Sequence, residues 1–405
     1  MKKLYLLFFI LIQISCTDKQ PAKTIRIHEK SNETVRYSQV FRSAEFVKLE
    51  TRQECLVSNI ATLKVDDDRI FVFDVWLGIV FIFSQDGHFI DKIGKKGKGP
   101  GEMITPRGFT LDKLNKQIEI LDASGKKMLI FDYNGNYIKT NKSVYVLGFE
   151  KLTNSDYIGY SYNYSFANQE KSISSVLAIF NSDGQFIKEF KDITTMPPSL
   201  GFVTHSNLFL DKNNNAYIIP IFENSLFRVD PSFNIERIYE FVFDTNIPKG
   251  ILEEPANYIF AKKLYSGNKY PYMIEDVYVV NDNVNFTFTY NRQNYHTFWK
   301  LNTNNAITVE TRNFNNDLAL VESLGFRGTF SEGIIDVVEA IDFIDIYTKA
   351  IEEDKELSVI QPASMKNTLT TLVKAISPND NPILIFYTYK SVLSGKTISK
   401  LNKMG

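Results

Sequence analysis

The sequence has few of the residues on which thiol and metal chemistry depends. Its 405 residues include 2 cysteines and 4 histidines, and no His-Glu-x-x-His phrase or Cys/His cluster occurs. A zinc site built from cysteine and histidine is therefore not expected. No Gly-x-Ser-x-Gly phrase is present and no pair of acidic residues stands out, so the sequence gives no positive sign of nucleophilic or general acid–base catalysis.

An excess of charge of either sign is also lacking. The 46 lysines and arginines balance 47 aspartates and glutamates, and basic residues gather only in a short loop near Lys95. The electrostatic footprint of a nucleic-acid-binding protein is therefore absent. The chain is 44% hydrophobic and 14% aromatic, which is enough to bury a sizeable core. We expect one large globular domain.

Long hydrophobic runs are missing except at the N-terminus. Two lysines precede an apolar run at residues 4–14, about half of the roughly 20 residues that a spanning helix needs. This pattern predicts a secretory signal over residues 1–15. The serine before Cys16 resembles the end of a bacterial lipobox, in which the cysteine thiol receives a diacylglyceryl group. The alternative is a plain cleaved signal with an incidental cysteine.

The other cysteine then has no partner. If Cys16 is acylated, Cys55 cannot form a disulfide bond, and we interpret it as a small buried hydrophobic residue. Residues 16–23 are predicted to be a polar tether between the anchor and the folded domain. The chain is thus predicted to be tied to a membrane by lipid alone.

A nine-residue phrase repeats along the mature chain. It occurs at residues 82–90 (IFSQDGHFI), 130–138 (IFDYNGNYI) and 179–187 (IFNSDGQFI), so successive copies lie 48 and 49 residues apart. Each copy predicts a hairpin, because Asp-Gly and Asn-Gly accept the positive φ of tight primed turns. Fainter hairpins are predicted at residues 228–236 and 297–310.

Another pair of strands precedes the repeated hairpins, at residues 64–74, 110–122 and 209–221. Four strands in every 40 to 50 residues is typical of a propeller blade. We therefore predict an all-β fold, a six-bladed β-propeller over residues 24–405. It carries a short helical insertion within residues 245–282 and a C-terminal helix.

The last blade is expected to join the two ends of the chain. A strand at residues 383–389 would pair with N-terminal strands such as residues 24–28 or 45–50, which removes free sheet edges. Before it, Ser364 is typical of the N-cap of a helix. Residues 334–346 fit a strand or a helix equally well.

A glycine-rich stretch carries a family resemblance. The phrase IGKKGKGPGEM at residues 93–103 resembles the signature of six-bladed β-propeller lipoproteins of Bacteroidetes, relatives of the NHL-repeat propellers. The matching residues are Gly97, Gly99, Pro100, Gly101 and Glu102. Residues 46–51 and 379–390 also match. The resemblance implies a fold and a cell-envelope location, for which we expect the outer membrane, but it implies no reaction.

The same stretch is a candidate anion site. Its backbone amides, together with the side chains of Lys95, Lys96, Lys98 and Arg107, could hold an anion or an acidic sugar. The phosphate-loop patterns are not matched. The alternative is an inter-blade crossover that needs glycine for its backbone angles.

Aromatic residues form two further candidates. Tyrosines alternate along residues 157–166, where they fit either a sheet core or a stacking surface. The second group lies in the predicted insertion, on a rim that could contact a ligand or a partner. Its members are Tyr265, Tyr270 and Tyr272.

Two groups of polar residues and the histidines are further candidates. Asp211, Asn213 and Asn215 alternate as in a calcium loop, but the required glycine and final acid are missing, so we predict a turn. Residues 66–68 are predicted to be a solvated acidic turn. His88 should lie in a solvent-exposed turn, while His205 and His296 could face the channel or simply pack.

These features favour a binding or protein-interaction module in the cell envelope, with a glycan or an envelope protein as partner. One alternative is a propeller hydrolase or lyase with a calcium-like ion in its central channel. Another is an accessory subunit of an outer-membrane uptake complex.

Overall fold

The computed structural model describes residues 22–29, 33–161, 166–167, 172–173, 176–190, 208–211, 213–220, 223–247, 269–304, 306–321, 325–353 and 364–391. Within these residues the fold is all-β, and its sheets have a propeller-like arrangement. Consecutive strands pair as antiparallel neighbours in most sheets, as the repeated hairpins predict.

The N-terminal part of the chain contains seven strands, and the last four of them form one complete four-stranded group. Its elements are β1 (Lys23–Ile27), β2 (Val35–Arg36), the one-turn helix α1 (Tyr37–Val40), β3 (Phe41–Lys48), a 3-10 turn (Gln53–Cys55), β4 (Ile60–Asp66), β5 (Arg69–Asp74), β6 (Ile79–Ser84) and β7 (Phe89–Ile93). The middle strands of the group β4 to β7 are apolar without alternation and buried on both faces. A sheet sandwiched between two others requires this pattern.

Three more groups of strands follow along the chain. They comprise β8 (Pro106–Asp112), β9 (Gln117–Asp122), β10 (Lys127–Asp132), β11 (Tyr137–Lys142), β12 (Gly148–Lys151), β13 (Tyr157–Tyr160), β14 (Phe166–Ala167), β15 (Ser172–Ile173), β16 (Leu177–Phe180), β17 (Phe186–Glu189), β18 (Leu208–Leu210), β19 (Ala216–Ile218), β20 (Ser225–Val229) and β21 (Ile235–Phe243). The short β14 and β15 pair only with each other.

The C-terminal part adds strands and the two longer helices. Its elements are β22 (Tyr272–Val280), β23 (Asn283–Tyr290), β24 (Gln293–Lys300), β25 (Ala306–Glu310), a 3-10 turn (Thr311–Asn313), β26 (Phe314–Asn315), β27 (Gly328–Phe330), β28 (Gly333–Val338), α2 (Ala340–Glu353), α3 (Ser364–Lys374) and β29 (Ile383–Tyr389). The helix predicted to start at Ser364 is confirmed. The ambiguous residues 334–346 divide between β28 and α2.

The described residues form fewer separate blade sheets than the six that the sequence predicts. Four of them stand alone, formed by β8 to β11, by β12, β13, β16 and β17, by β18 to β21, and by β22 to β25. The other large sheet is continuous over eight strands, in the order β3-β29-β28-β27-β4-β5-β6-β7. The propeller-like arrangement is therefore confirmed, whereas the structure separates four blades and not six.

The ends of the chain meet in the eight-stranded sheet, as predicted. Strand β29 pairs antiparallel with β3, which matches the pairing expected of residues 45–50. Residues 24–28 do not take that place, because β1 pairs in parallel with β21 and extends another sheet. The parallel pair of β27 with β4 needs a close approach, since a Cβ on Gly328 would lie 2.4 Å from the Leu63 carbonyl oxygen.

The repeated hairpins form as the sequence predicts. Gly87, Gly135 and Gly184 have φ of +89°, +86° and +72°, the values that favour glycine in these turns. Gly87 is also required by packing, because a Cβ there would lie 2.1 Å from the Lys48 carbonyl oxygen. The turn between β6 and β7 therefore rests on the end of β3.

Most of the core lies between neighbouring sheets. Phe71 and Phe73 of β5 face Leu111 and Ile120 of the following sheet, and all of these side chains are buried. Helix α2 covers the eight-stranded sheet, where Phe343 packs edge-on against Phe46 with ring centres 5.8 Å apart. Each such ring contributes about 1.5–3 kcal/mol by leaving water.

The direction of the strands defines two ends of the molecule. The first strand of each group lies beside the first strand of a neighbouring group. These strands follow one another in the order β8, β12, β18, β22, β27 and β4. We call them the innermost strands. The end at which they begin is reached by the crossovers between groups and is called the crossover end. The end at which they finish is called the cavity end.

Candidate functional site

A cavity of about 1150 Å³ opens where the innermost strands finish. Every innermost strand contributes to its wall, through residues such as Lys64, Thr110, Glu150, Phe209, Val279 and Thr329. The cavity is slightly larger than the volumes usual for small-molecule sites, about 300–1000 Å³. Its position at the shared end of the strands makes it the first candidate site.

A hydrogen-bonded ion pair lies at the wall of the cavity. Lys64 Nζ is 2.5 Å from Glu150 Oε1, and Thr110 Oγ1 donates to Glu150 Oε2 over 2.6 Å. The three residues come from β4, β12 and β8, so one carboxylate joins three strand groups. Both charged side chains remain partly accessible, at 23% for Lys64 and 14% for Glu150. A ligand could therefore reach the charges of this pair.

A second ion pair is buried behind the first. Lys151 Nζ lies 3.0 Å from Glu119 Oε1 and donates to the Tyr157 hydroxyl over 3.2 Å. Glu119 is 1% exposed, and among the described residues its Oε2 atom has no hydrogen-bond partner. Burial, with the neighbouring Glu119 carboxylate, raises the pKa of Tyr157 far above its ordinary value. Tyr157 therefore remains a neutral acceptor for the ammonium group.

An acidic turn borders the cavity between β4 and β5. Asp66 Oδ2 accepts a hydrogen bond from the Tyr133 hydroxyl over 2.9 Å and lies 3.1 Å from Lys116 Nζ. The side chain of Asp66 is only 13% exposed. The sequence prediction of a solvated acidic turn at residues 66–68 is therefore wrong for Asp66, although Asp68 is exposed.

The turn after β18 uses its polar side chains internally, as predicted. Asp211 accepts hydrogen bonds from the backbone amides of Asn213 and Asn215 and from the Tyr217 hydroxyl. Burial and the Asp211 carboxylate raise the pKa of Tyr217 to about 12. In the described part of the chain, no three His, Cys, Asp or Glu side chains gather as a metal site. The calcium-like ion stays a prediction.

The glycine-rich stretch forms the crossover between β7 and β8. Glu102 folds back over it, accepting a hydrogen bond from the Gly99 amide at 3.0 Å and pairing with Lys95 Nζ at 2.9 Å. The Lys95 interaction lowers the pKa of Glu102 and raises that of Lys95. The loop amide thus already has an anionic partner. Lys96, Lys98 and Arg107 are exposed around it.

The glycines of this motif have different tasks. Gly101 has a φ of +74°, and a Cβ on Gly97 would lie 2.0 Å from Glu102 Oε2. Gly99 provides the capped amide, and Pro100 lies between these residues at the exposed tip. The geometry agrees with the alternative of an inter-blade crossover, and anion binding stays a prediction.

The tyrosines of the predicted insertion do not form a common exposed rim. Tyr272 lies in β22 and is 8% exposed, which corrects its expected position on an insertion loop. Tyr270 is half-buried just before that strand, and Tyr265 lies outside the described residues. Of the other aromatic run, Tyr157 and Tyr160 are buried in β13, which favours the sheet-core alternative.

The histidines also separate into different environments. His88 is exposed in the β6–β7 turn, as predicted. His296 is buried against Phe298, Phe314 and Phe326, and burial lowers its pKa to about 4. It is therefore a neutral packing residue, while His205 lies outside the described residues.

The sequence predicts different roles for the two cysteines. Cys55 is completely buried and its thiol donates to the Glu50 carbonyl oxygen over 3.2 Å, so the buried interpretation is confirmed. Cys16 and the rest of the predicted signal lie outside the described residues. Among the described helices, none is long and apolar enough to cross a membrane.

The central ion pairs could not be identified from the sequence. Lys64 and Thr110 occupy the same place before an apolar residue and an aspartate in two repeats, KVD and TLD, which is a weak positional signal. Their common partner, Glu150, is 86 residues from Lys64. Only the stacking of strand groups brings the three side chains together.

Comparisons with solved structures give the fold independently. A crystal structure of a protein described as exported from Bacteroides fragilis has 20% identity and a TM-score of 0.72, covering 91% of this chain and 100% of that chain. A member of the DUF4221 family from Bacteroides vulgatus has 9% identity and a TM-score of 0.51, covering 87% and 97%. At these identities, the likeness concerns the fold alone.

The family is shown by the sequence itself. A search of curated proteins gives no match. The family model described as Domain of unknown function (DUF4934) matches residues 22–388, which includes every strand group and the cavity. The chain therefore belongs to the DUF4934 family.

Proposed function

We propose that the protein is a binding module of the cell envelope, with the cavity as its ligand site. The observation that carries this proposal is the convergence of the innermost strands on a cavity whose accessible charges are prearranged in the Lys64–Glu150 pair. The Thr110 hydroxyl donates to the Glu150 carboxylate, but Lys64 pairs with the same carboxylate, so Glu150 is held as one half of an ion pair and not as a free base. Recognition is thus better supported than reaction.

The ion pair indicates the chemistry of the ligand. A carboxylate of a ligand would find Lys64, and an ammonium or hydroxyl group would find Glu150, each replacing part of the internal pair. Removing such charges from water is costly unless they are paired again. The site therefore suits a polar ligand with several hydrogen-bonding groups, such as an oligosaccharide or a short peptide.

We further infer six blades of the NHL-like kind. The eight-stranded sheet divides at the single parallel pair between β27 and β4 into two groups of four antiparallel strands. Together with the four separate sheets, this gives six groups. Contacts between Lys116 of the β8–β9 turn and Asp66 of β4 support closure between the first two groups.

A lipid anchor at Cys16 is the proposed means of attachment, with the outer membrane as the proposed location. The signal-like residues 1–15 and the exported Bacteroides neighbour support it. Changing Cys16→Ser should move the protein from the membrane fraction to the soluble fraction and remove a diacylglyceryl mass from its N-terminal peptide. An unmodified N-terminal peptide in the native protein would overturn this part of the proposal.

The cavity is tested by direct binding. Calorimetry of the purified full chain against neutral oligosaccharides and short peptides should identify a ligand whose binding is lost in Lys64→Ala and Glu150→Gln. At a concentration 100 times its Kd, such a ligand should also stabilise the fold by about 2.7 kcal/mol. Lys96→Ala, at the other end of the molecule, is the matched control and should bind normally.

The outcomes separate the candidate functions. Binding that persists in both cavity variants would place the ligand elsewhere, and the absence of binding to every probe would count against a receptor for these two classes. Binding that appears only when calcium is added would favour the metal-dependent alternative.

A further inference from the structure

Exposed apolar side chains gather at the crossover end of the first three strand groups. They lie in the segments that precede β4, β8 and β12 and in the β5–β6 turn. We call this set the crossover surface; its members are Leu56, Val75, Trp76, Leu77, Ile104, Tyr145 and Leu147. Other exposed large apolar residues include Leu114 in an innermost turn at the cavity end, and Ile90, Tyr137, Ile138 and Ile187 at the starts of outer strands. Adjacent exposed apolar residues, such as Val75, Trp76 and Leu77, mark interaction sites more often than scattered single residues do.

Trp76 is the most prominent member, with 75% of its surface exposed. Tryptophan is the residue that most often dominates the energy of protein interfaces. Its neighbours Val75 and Leu77 are 42% and 49% exposed. Three consecutive apolar side chains at the tip of one turn have no role in the core that the structure describes.

The turn is held rigidly from beneath. The buried carboxylate of Asp74 accepts hydrogen bonds from the backbone amides of Trp76 and Leu77 at 3.0 and 2.9 Å. It also accepts from the amides of Ser58 and Asn59 in the preceding crossover. The tip is therefore fixed before any partner arrives, which reduces the entropic cost of binding.

The next strand group has the same support but a different tip. Asp122 is buried and accepts from the amides of Ile104 and Thr105, as Asp74 does in its own group. Its turn continues with Ala123 and Ser124, which present no large apolar surface. The support is thus compatible with small residues, and stability of the turn does not require Trp76.

Positive charges flank the apolar tip. A Cβ on Gly78 would lie 2.8 Å from the ring of Pro106, which places the turn beside Arg107. A Cβ on Gly94 would lie 2.4 Å from the Ile79 side chain, which places the start of the loop that carries Lys96 and Lys98 beside the strand that follows the turn. These three cations are exposed, and none has an ion-pair partner in the part of the chain that the structure describes.

We propose that the crossover surface docks an acidic protein partner, which receives Trp76 in an apolar pocket and pairs its carboxylates with Lys96, Lys98 and Arg107. Charge complementarity of this kind accelerates association and excludes wrong partners. A second copy of the chain is a less complementary occupant, because a two-fold contact would bring both sets of cations into one interface.

A membrane is the less favoured occupant. Lys23, the first residue of β1, lines the cavity at the opposite end of the innermost strands. The proposed lipid anchor, on which this step rests, would therefore join the molecule at the cavity end. The crossover surface would then be turned toward proteins and not toward the bilayer that holds the anchor.

Photocrosslinking of the full chain in its own bacterium tests the proposal. A p-benzoylphenylalanine residue is placed at position 76 or, as a matched control, at position 114, which is equally exposed at the cavity end. We expect one protein adduct at position 76, at least 10-fold stronger than at position 114, with the crosslink in an acidic segment of the partner. The triple change Lys96→Glu, Lys98→Glu and Arg107→Glu should weaken it at least 5-fold, while Lys139→Glu in the outer strand β11 should not.

Three outcomes would overturn the proposal: no protein adduct at position 76, adducts to lipid alone, or an adduct that the triple change leaves intact. A separate measurement tests the membrane directly with the soluble Cys16→Ser protein and vesicles of phosphatidylethanolamine and phosphatidylglycerol. Flotation with these vesicles that Trp76→Ser abolishes would favour a membrane. Because the soluble protein has no anchor, failure of the proposed anchor and failure of the docking surface are distinguishable.

Discussion

The two ends of the innermost strands are built on opposite principles. At the cavity end, charged side chains are paired with one another, as in the Lys64–Glu150 and Lys151–Glu119 contacts. At the crossover end, the buried carboxylate of Asp74 is satisfied by backbone amides, and the apolar side chain of Trp76 is left in water. At the cavity end the polar groups form the cavity wall, whereas at the crossover end they hold a turn that exposes apolar side chains.

This difference indicates two sizes of partner. A small polar ligand needs a concave site with a few oriented polar groups, which the cavity provides. A macromolecule needs an exposed apolar anchor with a polar surround, which the crossover surface provides. The same strands can therefore serve both tasks, because their two ends are chemically independent.

The largest expected effect is at the cavity end. Glu119→Leu leaves the ammonium group of Lys151 buried with only the Tyr157 hydroxyl as partner, and we expect a loss of about 4 kcal/mol in the free energy of unfolding. Urea denaturation measures it. Adding Lys151→Met should recover most of the loss, whereas Arg42→Ala, which breaks an exposed pair with Glu332, should cost under about 1 kcal/mol. A Glu119→Leu protein as stable as the native chain would show that this pair does not support the wall.

The next effect is at the crossover end. Asp74→Asn removes the charge that holds several amides, and we expect a loss of about 3 kcal/mol. Burial alone would raise the pKa of Asp74, but the hydrogen bonds from Leu77, Asn59 and Ser58 outweigh it and keep the pKa below its ordinary value. Thermal unfolding tests the loss, with the exposed turn residue Asp86→Asn as control. Equal small effects for both variants would refute the supporting role of Asp74.

Glu275, which lies in β22 toward the crossover end, should make the free energy of unfolding depend on pH with a sign opposite to that expected from Asp74. Burial, with a contribution from Asp276, raises the pKa of Glu275 from 4.5 to about 7. Between these values the folded chain binds one proton more than the unfolded chain. Its contribution is therefore complete below pH 4.5 and is lost as the pH rises through 7, by at most about 3 kcal/mol. The difference in urea stability between the native protein and Glu275→Gln should grow more favourable to the variant from pH 5 to pH 8, and a constant difference would contradict the shift.

The sequence predicts the parts of this fold that are local. The Asp-Gly and Asn-Gly turns at residues 86–87, 134–135 and 183–184 are short-range signals, and each forms the expected hairpin. The pairing of residues 383–389 with β3 could be expected because a closed arrangement must cover the edge of its last sheet. The sequence favours residues 24–28 equally for that place, because their β pattern does not identify which sheet edge they extend.

The candidate sites depend on contacts that periodicity does not encode. Tyr272 has the composition of a rim residue but is buried, because β22 begins at that position. Asp66 appears in a run of three acids, yet the Tyr133 hydroxyl from another strand group removes it from solvent. The exposure of Trp76 was likewise invisible in the sequence, since an apolar residue between strands is normally assigned to the core.

The smallest effect on stability should accompany the largest effect on docking. Trp76→Ser removes a side chain that is mostly in water, so we expect the free energy of unfolding to change by less than about 0.5 kcal/mol. Replacing the whole tip, Val75→Ala, Trp76→Ser and Leu77→Gly, copies the small residues found after Asp122 and should be tolerated in the same way. Urea unfolding of these variants, beside partner recovery by the crosslinker placed at the neighbouring Leu56, measures both quantities. A loss of several kcal/mol would instead make Trp76 a structural residue, and the contrast between the two ends would then be one of packing and not of recognition.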